Sequence, residues 1–400
     1  MTGVLHPTVD PHEAIEVGEE VGRLAAPFAA VHDRDGTFVD EGYAAVRKLS
    51  YGALAVPQDL GGGGHGLEGM CKAQAAMAKG CPSTALAMAM HTHAVLGMAW
   101  RRGQGDTEVA EVLRRVATEG LLLSASGTLV AARIGIEARP VPGGYSITGR
   151  RRLVSGAPGA DRLVIAARLV SAGGERPITI LAPLSGEGVK IVDDWDALGM
   201  RGSGTNSVSF RDVFVPTDDA LYVDRGNYRP QPPGTMADER PVDDLTRSMR
   251  MPGLHISLPI IGAVYLGAAD GACREAIRTV AGTSRVDNPG AGHLAGVMAH
   301  EIRLGWWALE GMVRETSDET LGTNQQMITT LLGKRQVVGS AIRAAEAAME
   351  LLGSSTYLRG NLFERTLRDV RAGITHPLPP EASLVQVGWA TLDEAARPSP

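Results

Sequence analysis

The chain changes texture twice, from helical to extended and back to helical, and this order restricts its fold more than any other feature. From Asp10 to about Thr118 apolar residues recur with a period near 3.6. Between Leu121 and about Pro216 short β-rich runs are separated by turn chemistry. From Leu254 onward the pattern is helical again, in long segments. An all-α, then β, then all-α order is uncommon, and predicts an α+β chain of three parts, bounded at 1–120, 121–236 and 237–400.

Asp10 is placed to N-cap the first helix, with Pro11 at its first position and Glu13 completing a capping box. Ile15, Val21 and Ala25 then mark its apolar face. Further helices fit Glu41 to Leu49, Leu67 to Lys79, Ser83 to Trp100 and Thr107 to Thr118, while four successive glycines from Gly61 read as loop. In the β part, Ile134 to Pro140 and Tyr145 to Val154 flank a hairpin turn at Pro142-Gly143-Gly144, and Arg162 to Val170, Ile178 to Pro183, Val189 to Val192 and Asn206 to Val215 supply more strands. Asp224 to Met251 reads as a linker or extended loop. The Ala/Leu-rich helices after it, Leu254 to Val280, Leu294 to Ser317, Thr323 to Leu352, Phe363 to Ala372 and Pro380 to Ala396, predict an antiparallel bundle.

Charge gives no reason to expect nucleic acid or an anionic membrane as partner: 39 Lys and Arg stand against 45 Asp and Glu, without a basic block. Cys71, Cys81 and Cys273 are odd in number and form no metal spacing, which fits a reducing cytoplasm and no metal site. The first residues lack a signal-peptide pattern, and the longest apolar stretch, Leu258 to Ala269, is short for a membrane span.

Three motifs carry a resemblance. Gly52-Ala-Leu-Ala-Val-Pro-Gln-Asp-Leu-Gly-Gly-Gly-Gly64 resembles a Pro-x-x-x-Gly-Gly segment, Gly199-Met-Arg-Gly-Ser-Gly-Thr-Asn206 and the run to Pro216 resemble a motif on the last β-domain strands, and Phe363 to Arg371 resembles an Arg-Asp stretch before a catalytic loop. In this order they are similar to the acyl-CoA dehydrogenase superfamily. The resemblance implies an N-terminal all-α domain, a middle β-barrel-like domain, a C-terminal antiparallel four-helix bundle, a flavin and a homotetramer. FAD is the expected cofactor, with FMN conceivable.

Dehydrogenation of an acyl thioester needs a base for the α proton and a flavin to take hydride from the β carbon. In most relatives that base is a Glu nine residues after the Arg of the Arg-Asp pair. Nine residues after Arg368 stands Pro377, with His376 beside it, and the alternative family position, in Pro252-Gly-Leu-His-Ile-Ser257, also lacks a carboxylate. His376 is the candidate replacement, since imidazole exchanges protons near neutrality; its plainer reading is a turn residue closing a helix. His91 and His93 lie two apart on one helix, so at most one faces the cavity. Related two-component flavin monooxygenases are similar in having one histidine here and another in the C-terminal loop.

For the flavin, Gly149-Arg-Arg-Arg-Leu-Val-Ser-Gly156 is similar to the family segment in which a Trp packs on the ring and a Thr hydroxyl lies near N5. Leu153 and Ser155 take those places; a plain strand-end turn is the other reading. Ser124 and Ser126, in Leu123 to Val130, stand where relatives have a flavin-contacting loop. Arg285 corresponds to an arginine pairing with the FAD diphosphate, or is a surface arginine, and Gly353 survives from a glycine turn that approaches a neighbouring subunit's dinucleotide.

Three functions compete at this stage. The first is α,β-dehydrogenation of an acyl thioester with His376 as base and an electron-transfer partner. The second is flavin-dependent monooxygenation of a small aromatic or heteroatom-bearing substrate, fed by a flavin reductase. The third is a catalytically silent binding subunit.

Overall fold

The computed structural model describes residues 3–126, 135–172, 174–223, 252–316, 318–376 and 379–395. Five helices come first: α1 (His12–Asp35), α2 (Asp40–Lys48), α3 (Leu67–Gly80), α4 (Pro82–Gly103) and α5 (Ala110–Glu119). The capping box expected at Asp10 does not form. The α1 helix starts one residue later, Asp10 accepts from the His12 N–H at 3.0 Å, and Glu13 reaches toward His65. Proline at position 11 leaves His12 as the first available donor, which explains the displacement.

Eight strands follow: β1 (Leu123–Ser126), β2 (Ile136–Val141), β3 (Gly144–Val154), β4 (Arg162–Ser171), β5 (Gly174–Pro183), β6 (Val189–Val192), β7 (Asn206–Pro216) and β8 (Ala220–Val223). They form one sheet in the order β6-β7-β3-β2-β4-β5-β8, with β1 added in parallel to β4. The expected hairpin is present, Val141 facing Gly144 across its turn. Among the described residues β6 and β8 are the ends of the hydrogen-bonded path. The sheet carries its own apolar core, centred on Ile136, Ile147, Leu163, Ile180 and Val208.

The last five helices are α6 (Pro252–Ala281), α7 (Pro289–Glu315), α8 (Asn324–Leu352), α9 (Leu362–Arg371) and α10 (Pro380–Ala395). Asn288 and Thr323 cap α7 and α8 with their side chains, the latter in a capping box with Gln326. The three long helices run up, down, up: Gly262 of α6 lies against Leu309 and Val337, while Glu301 of α7 meets Ser340 and Arg343 of α8. The expected fourth long helix is not supplied by the C-terminal part, since α9 has 10 residues and α10 has 16. Instead α3 and α4 pack on α6, and a single core runs through both helical regions.

Small residues make that join possible. A Cβ on Gly267 of α6 would fall 2.2 Å from the Ala75 carbonyl oxygen of α3, so glycine sets the approach of the two backbones. By length and hydropathy α6 could cross a membrane, yet 94% of its apolar window is buried within the protein. It is the central helix of the core.

Candidate active site

The Gly199-to-Thr205 segment is where the sheet meets both helical regions. Arg368 of α9 grips Asp33 of α1 with two bonds of 2.8 and 2.6 Å, and also donates to the Leu198 carbonyl at 3.0 Å. Next along α9, the buried Asp369 accepts the Met200 N–H, and Arg201 donates to the Asp33 carbonyl at 2.7 Å. Paired carboxylates hold the Arg368 guanidinium well above its ordinary pKa. Burial pushes the Asp369 carboxyl up to about 7, against the lowering effect of the Met200 N–H. A Cβ at residue 199 would lie 2.3 Å from the Arg368 carbonyl oxygen, so Gly199 is needed for this contact. The Arg-Asp and Gly-Met-Arg motifs, 169 residues apart at the Met200–Asp369 bond, are two halves of one joint.

That joint presents a row of hydroxyls. Ser203 Oγ lies 2.7 Å from Thr205 Oγ1, which donates to Ser155 Oγ at 2.9 Å; Ser124 Oγ donates to the Ser155 carbonyl at 2.8 Å. With Thr205 donating, Ser203 gives its proton to Thr205, and the Ser155 proton is left as the terminal donor of the relay. Two residues before, Leu153 sits at a register shift between β3 and β7, has φ +58, and is 61% exposed. A branched apolar residue held out in the left-handed region is costly in two ways, strain and exposure, and both are expected at a ligand platform. Along the same edge Arg151 donates to Ser126 at 2.7 Å, and burial lowers the arginine's pKa. These residues fit a flavin: an apolar surface for the ring, and a hydroxyl donor and arginine beside it. The rest of the expected flavin loop, Gly127 to Val130, lies outside the described residues.

The three expected histidines divide. His91 is buried with both ring nitrogens committed, Nδ1 accepting from the Leu123 N–H at 3.0 Å and Nε2 donating to the Gly52 carbonyl at 2.9 Å. Because an amide N–H can only donate, the tautomer is fixed, and burial lowers the ring's pKa to about 4. A catalytic His91 is therefore corrected to a pin joining α4, β1 and the Gly52 turn. Replacing it with Ala strands two buried main-chain groups and should cost about 2 kcal/mol. A denaturant midpoint unchanged in His91→Ala would contradict this role. His93 is half-buried on the other side of α4, one turn from Gly97, whose Cβ direction is open. It remains the cavity-facing candidate.

His376 closes the turn after α9. Its Nδ1 lies 2.7 Å from the Tyr265 hydroxyl, its carbonyl accepts from Lys334 Nζ at 2.8 Å, and its ring is tilted 36° against Tyr265 with centroids 5.6 Å apart. Burial and Lys334 lower its pKa to about 4. A cavity of about 750 Å³ adjoins this turn, lined among others by Lys334, Ile374, Ser383 and Leu384. Ser155 bonds Thr205, and Met200 of the same segment bonds Asp369 of α9, which precedes His376 by seven residues in the chain.

Arg285 and Gly353 meet elsewhere, at an end of the helical bundle. Gly353 terminates α8 with φ +84, and Arg285 donates to the Leu351 carbonyl beside it. Both are exposed, and the structure gives them a capping task there. Sequence reasoning missed Tyr265, Lys334, Thr205 and Ser203. Tyr265 and Lys334 sit within α6 and α8, where nothing in the spacing marks them as partners of a residue over forty positions on. No cluster of metal ligands occurs among the described residues.

Residues 16–120 match the acyl-CoA dehydrogenase N-terminal domain family and residues 259–378 the acyl-CoA dehydrogenase C-terminal domain family. The amino sugar nitrososynthase DnmZ of Streptomyces peucetius is 28% identical over 86% of this chain and 84% of its own length. The flavin-dependent monooxygenase oxygenase subunit HsaA of Rhodococcus jostii (strain RHA1) is 30% identical over 62% of this chain and 66% of its own. Among solved structures, KijD3 in complex with FMN and dTDP-3-amino-2,3,6-trideoxy-4-keto-3-methyl-D-glucose superposes with a TM-score of 0.80 and 26% identity, covering 98% of this chain and 96% of that one.

Proposed function

The chain belongs to the acyl-CoA dehydrogenase superfamily of flavin enzymes, and from that premise we propose that it is a flavin-dependent monooxygenase that oxygenates a heteroatom, an amine nitrogen in a small polar molecule. The observation that carries this reading is the state of His376. A ring with Nδ1 tied to Tyr265 and a pKa near 4 is a poor base for an α proton, and neither family position for the catalytic Glu holds a carboxylate. Oxygenation does not need that base. Relatives named amino sugar nitrososynthases, and FMN in the KijD3 complex, support the same side. Hydroxylation of an aromatic substrate is the second reading; the similarity to the oxygenase subunit HsaA supports monooxygenation in either form. Dehydrogenation of an acyl thioester is the third; relatives named as acyl-CoA dehydrogenases favour it, and the absent carboxylate opposes it.

Reduced flavin, when bound, supplies two electrons for the reduction of O2, one oxygen atom entering the substrate and the other leaving as water. Leu153 would pack on the ring, Ser155 would donate to its polar edge, and Ser126 with Arg151 would meet its more distal polar groups. His376 and His93 would flank the substrate, excluding water and holding its polar atoms in place. We further propose FMN or FAD as the cofactor, a flavin reductase as partner, a homotetramer covering the exposed Trp307, Trp389 and Leu392, and a cytoplasmic location where the buried cysteines stay reduced.

The test supplies purified protein with a flavin reductase, NADH, ¹⁸O2 and either a nucleotide-linked amino sugar or a phenol. Oxygen-dependent product carrying ¹⁸O is expected. Anaerobic bleaching of bound oxidised flavin by an acyl-CoA, without ¹⁸O transfer, would instead establish the dehydrogenase. For the platform, Leu153→Gly should relieve the strained φ and leave stability unchanged or slightly raised, yet weaken flavin binding about ten-fold or more through lost apolar burial. Equal flavin affinity by fluorescence titration would remove Leu153 from the site.

A further inference from the structure

We infer that Tyr265 is a positioning residue: it fixes His376 in the tautomer whose Nδ1 accepts and whose Nε2 carries the proton, so that the imidazole meets its ligand as a hydrogen-bond donor. The argument starts from the phenol. Tyr265 is fully buried, and His376 Nδ1 at 2.7 Å is the hydrogen-bond partner of its hydroxyl among the described residues. If Nδ1 carried the proton and donated to the phenol oxygen, the phenol's own proton would be buried without an acceptor. Leaving a polar hydrogen stranded that way is unfavourable, whereas the opposite direction satisfies both groups. Burial holds the phenol's pKa far above 10, so it keeps its proton to give.

The surroundings make this a fixed arrangement. Tyr265 lies on the buried central helix α6 and is itself fully buried, with Gly373 pressed on its ring. A Cβ on Gly373 would come within 2.8 Å of Val338 and 3.0 Å of Tyr265, which shows how closely the turn after α9 is pressed on α6 and α8. Lys334 then holds the main chain of His376 itself. With backbone, ring plane and Nδ1 all fixed, Nε2 is the one atom of the ring left for a ligand, and it has a proton rather than a lone pair. This excludes the α-proton base that the sequence suggested for His376. The ligand-facing role of Nε2 rests on the monooxygenase reading; the tautomer itself does not.

Solid-state ¹⁵N NMR of the full chain labelled at histidine tests both parts. Comparison with His376→Asn assigns the signals. Wild type at pH 7.5 is expected to give a protonated Nε2 and an unprotonated, hydrogen-bonded Nδ1 for His376, and Tyr265→Phe is expected to shift Nδ1 and populate both tautomers. A protonated Nδ1 in wild type, or an unchanged spectrum in Tyr265→Phe, overturns the assignment. The wild-type spectrum decides the tautomer even if the variant fails to fold. In the ¹⁸O assay, Tyr265→Phe should lower kcat about ten-fold with KM little changed. Absence of oxygenation in wild type would sink the functional reading and leave the tautomer result standing.

Discussion

Arg368→Ala is expected to lower stability by about 3–5 kcal/mol, the range for breaking a partly buried ion pair by removing one partner. Arg368 bonds both oxygens of Asp33 and both of Glu364, each carboxylate only about a tenth exposed. Without the guanidinium, two carboxylates face one another in a low-dielectric joint, with Asp369 next to them. The Leu198 carbonyl also loses its donor, and with it the 199–205 segment loses one of its anchors. Flavin affinity should therefore fall along with the denaturant midpoint. Arg368→Lys should recover only part of the loss, because an ammonium cannot bond two carboxylates in fork geometry. A midpoint within 1 kcal/mol of wild type for the alanine variant would show the pair to be a solvent-screened surface contact.

Acidification between pH 6.5 and 4 is expected to destabilise the protein by roughly 3 kcal/mol net, through its buried histidines. His91, His93, His255 and His376 all have pKa values lowered to about 4 by burial. Above pH 6.5 both folded and unfolded chains hold these rings neutral. As pH falls toward 4 the unfolded chain binds protons that the folded chain refuses, so stability is lost progressively. For the two fully buried rings, His91 and His255, this amounts to about 3 kcal/mol each. Asp369 acts in the opposite sense. Its folded pKa is raised to about 7, so the folded state keeps a proton the unfolded chain releases, and stability rises by about 4 kcal/mol as pH falls from 7 to 4. The histidines prevail because there are several of them, with His93 and His376 adding a smaller share. Chemical denaturation at pH 7 and pH 4 measures the net effect. Asp369→Asn should steepen the acid loss, and a stability independent of pH over this window would show that the rings titrate freely.

Helix α7 starts at Pro289, five residues before the expected Leu294, because Asn288 caps it there, whereas the start of α8 at Thr323 was legible because local chemistry sets it. The β-hairpin at Gly143 and Gly144 was legible for the same reason. Among the site residues, Ser155 and His376 were singled out through motifs, whereas their partners Thr205 and Tyr265 come from other segments. His91 misled because its type and position suggested a cavity, whereas its partners, Gly52 and Leu123, lie 39 and 32 residues away in the chain.

Helical and strand textures, their order, the turn chemistry and the missing carboxylate at both family positions are properties of neighbouring residues, and sequence alone determined them. That α6 serves two helical regions at once, that β1 joins the sheet in parallel to β4, and that His376 gives its Nδ1 to Tyr265 were decided only by tertiary packing. The physical reason is that hydrogen-bond direction, burial and protonation depend on which groups are brought together across the fold, and those partners are distant in the chain.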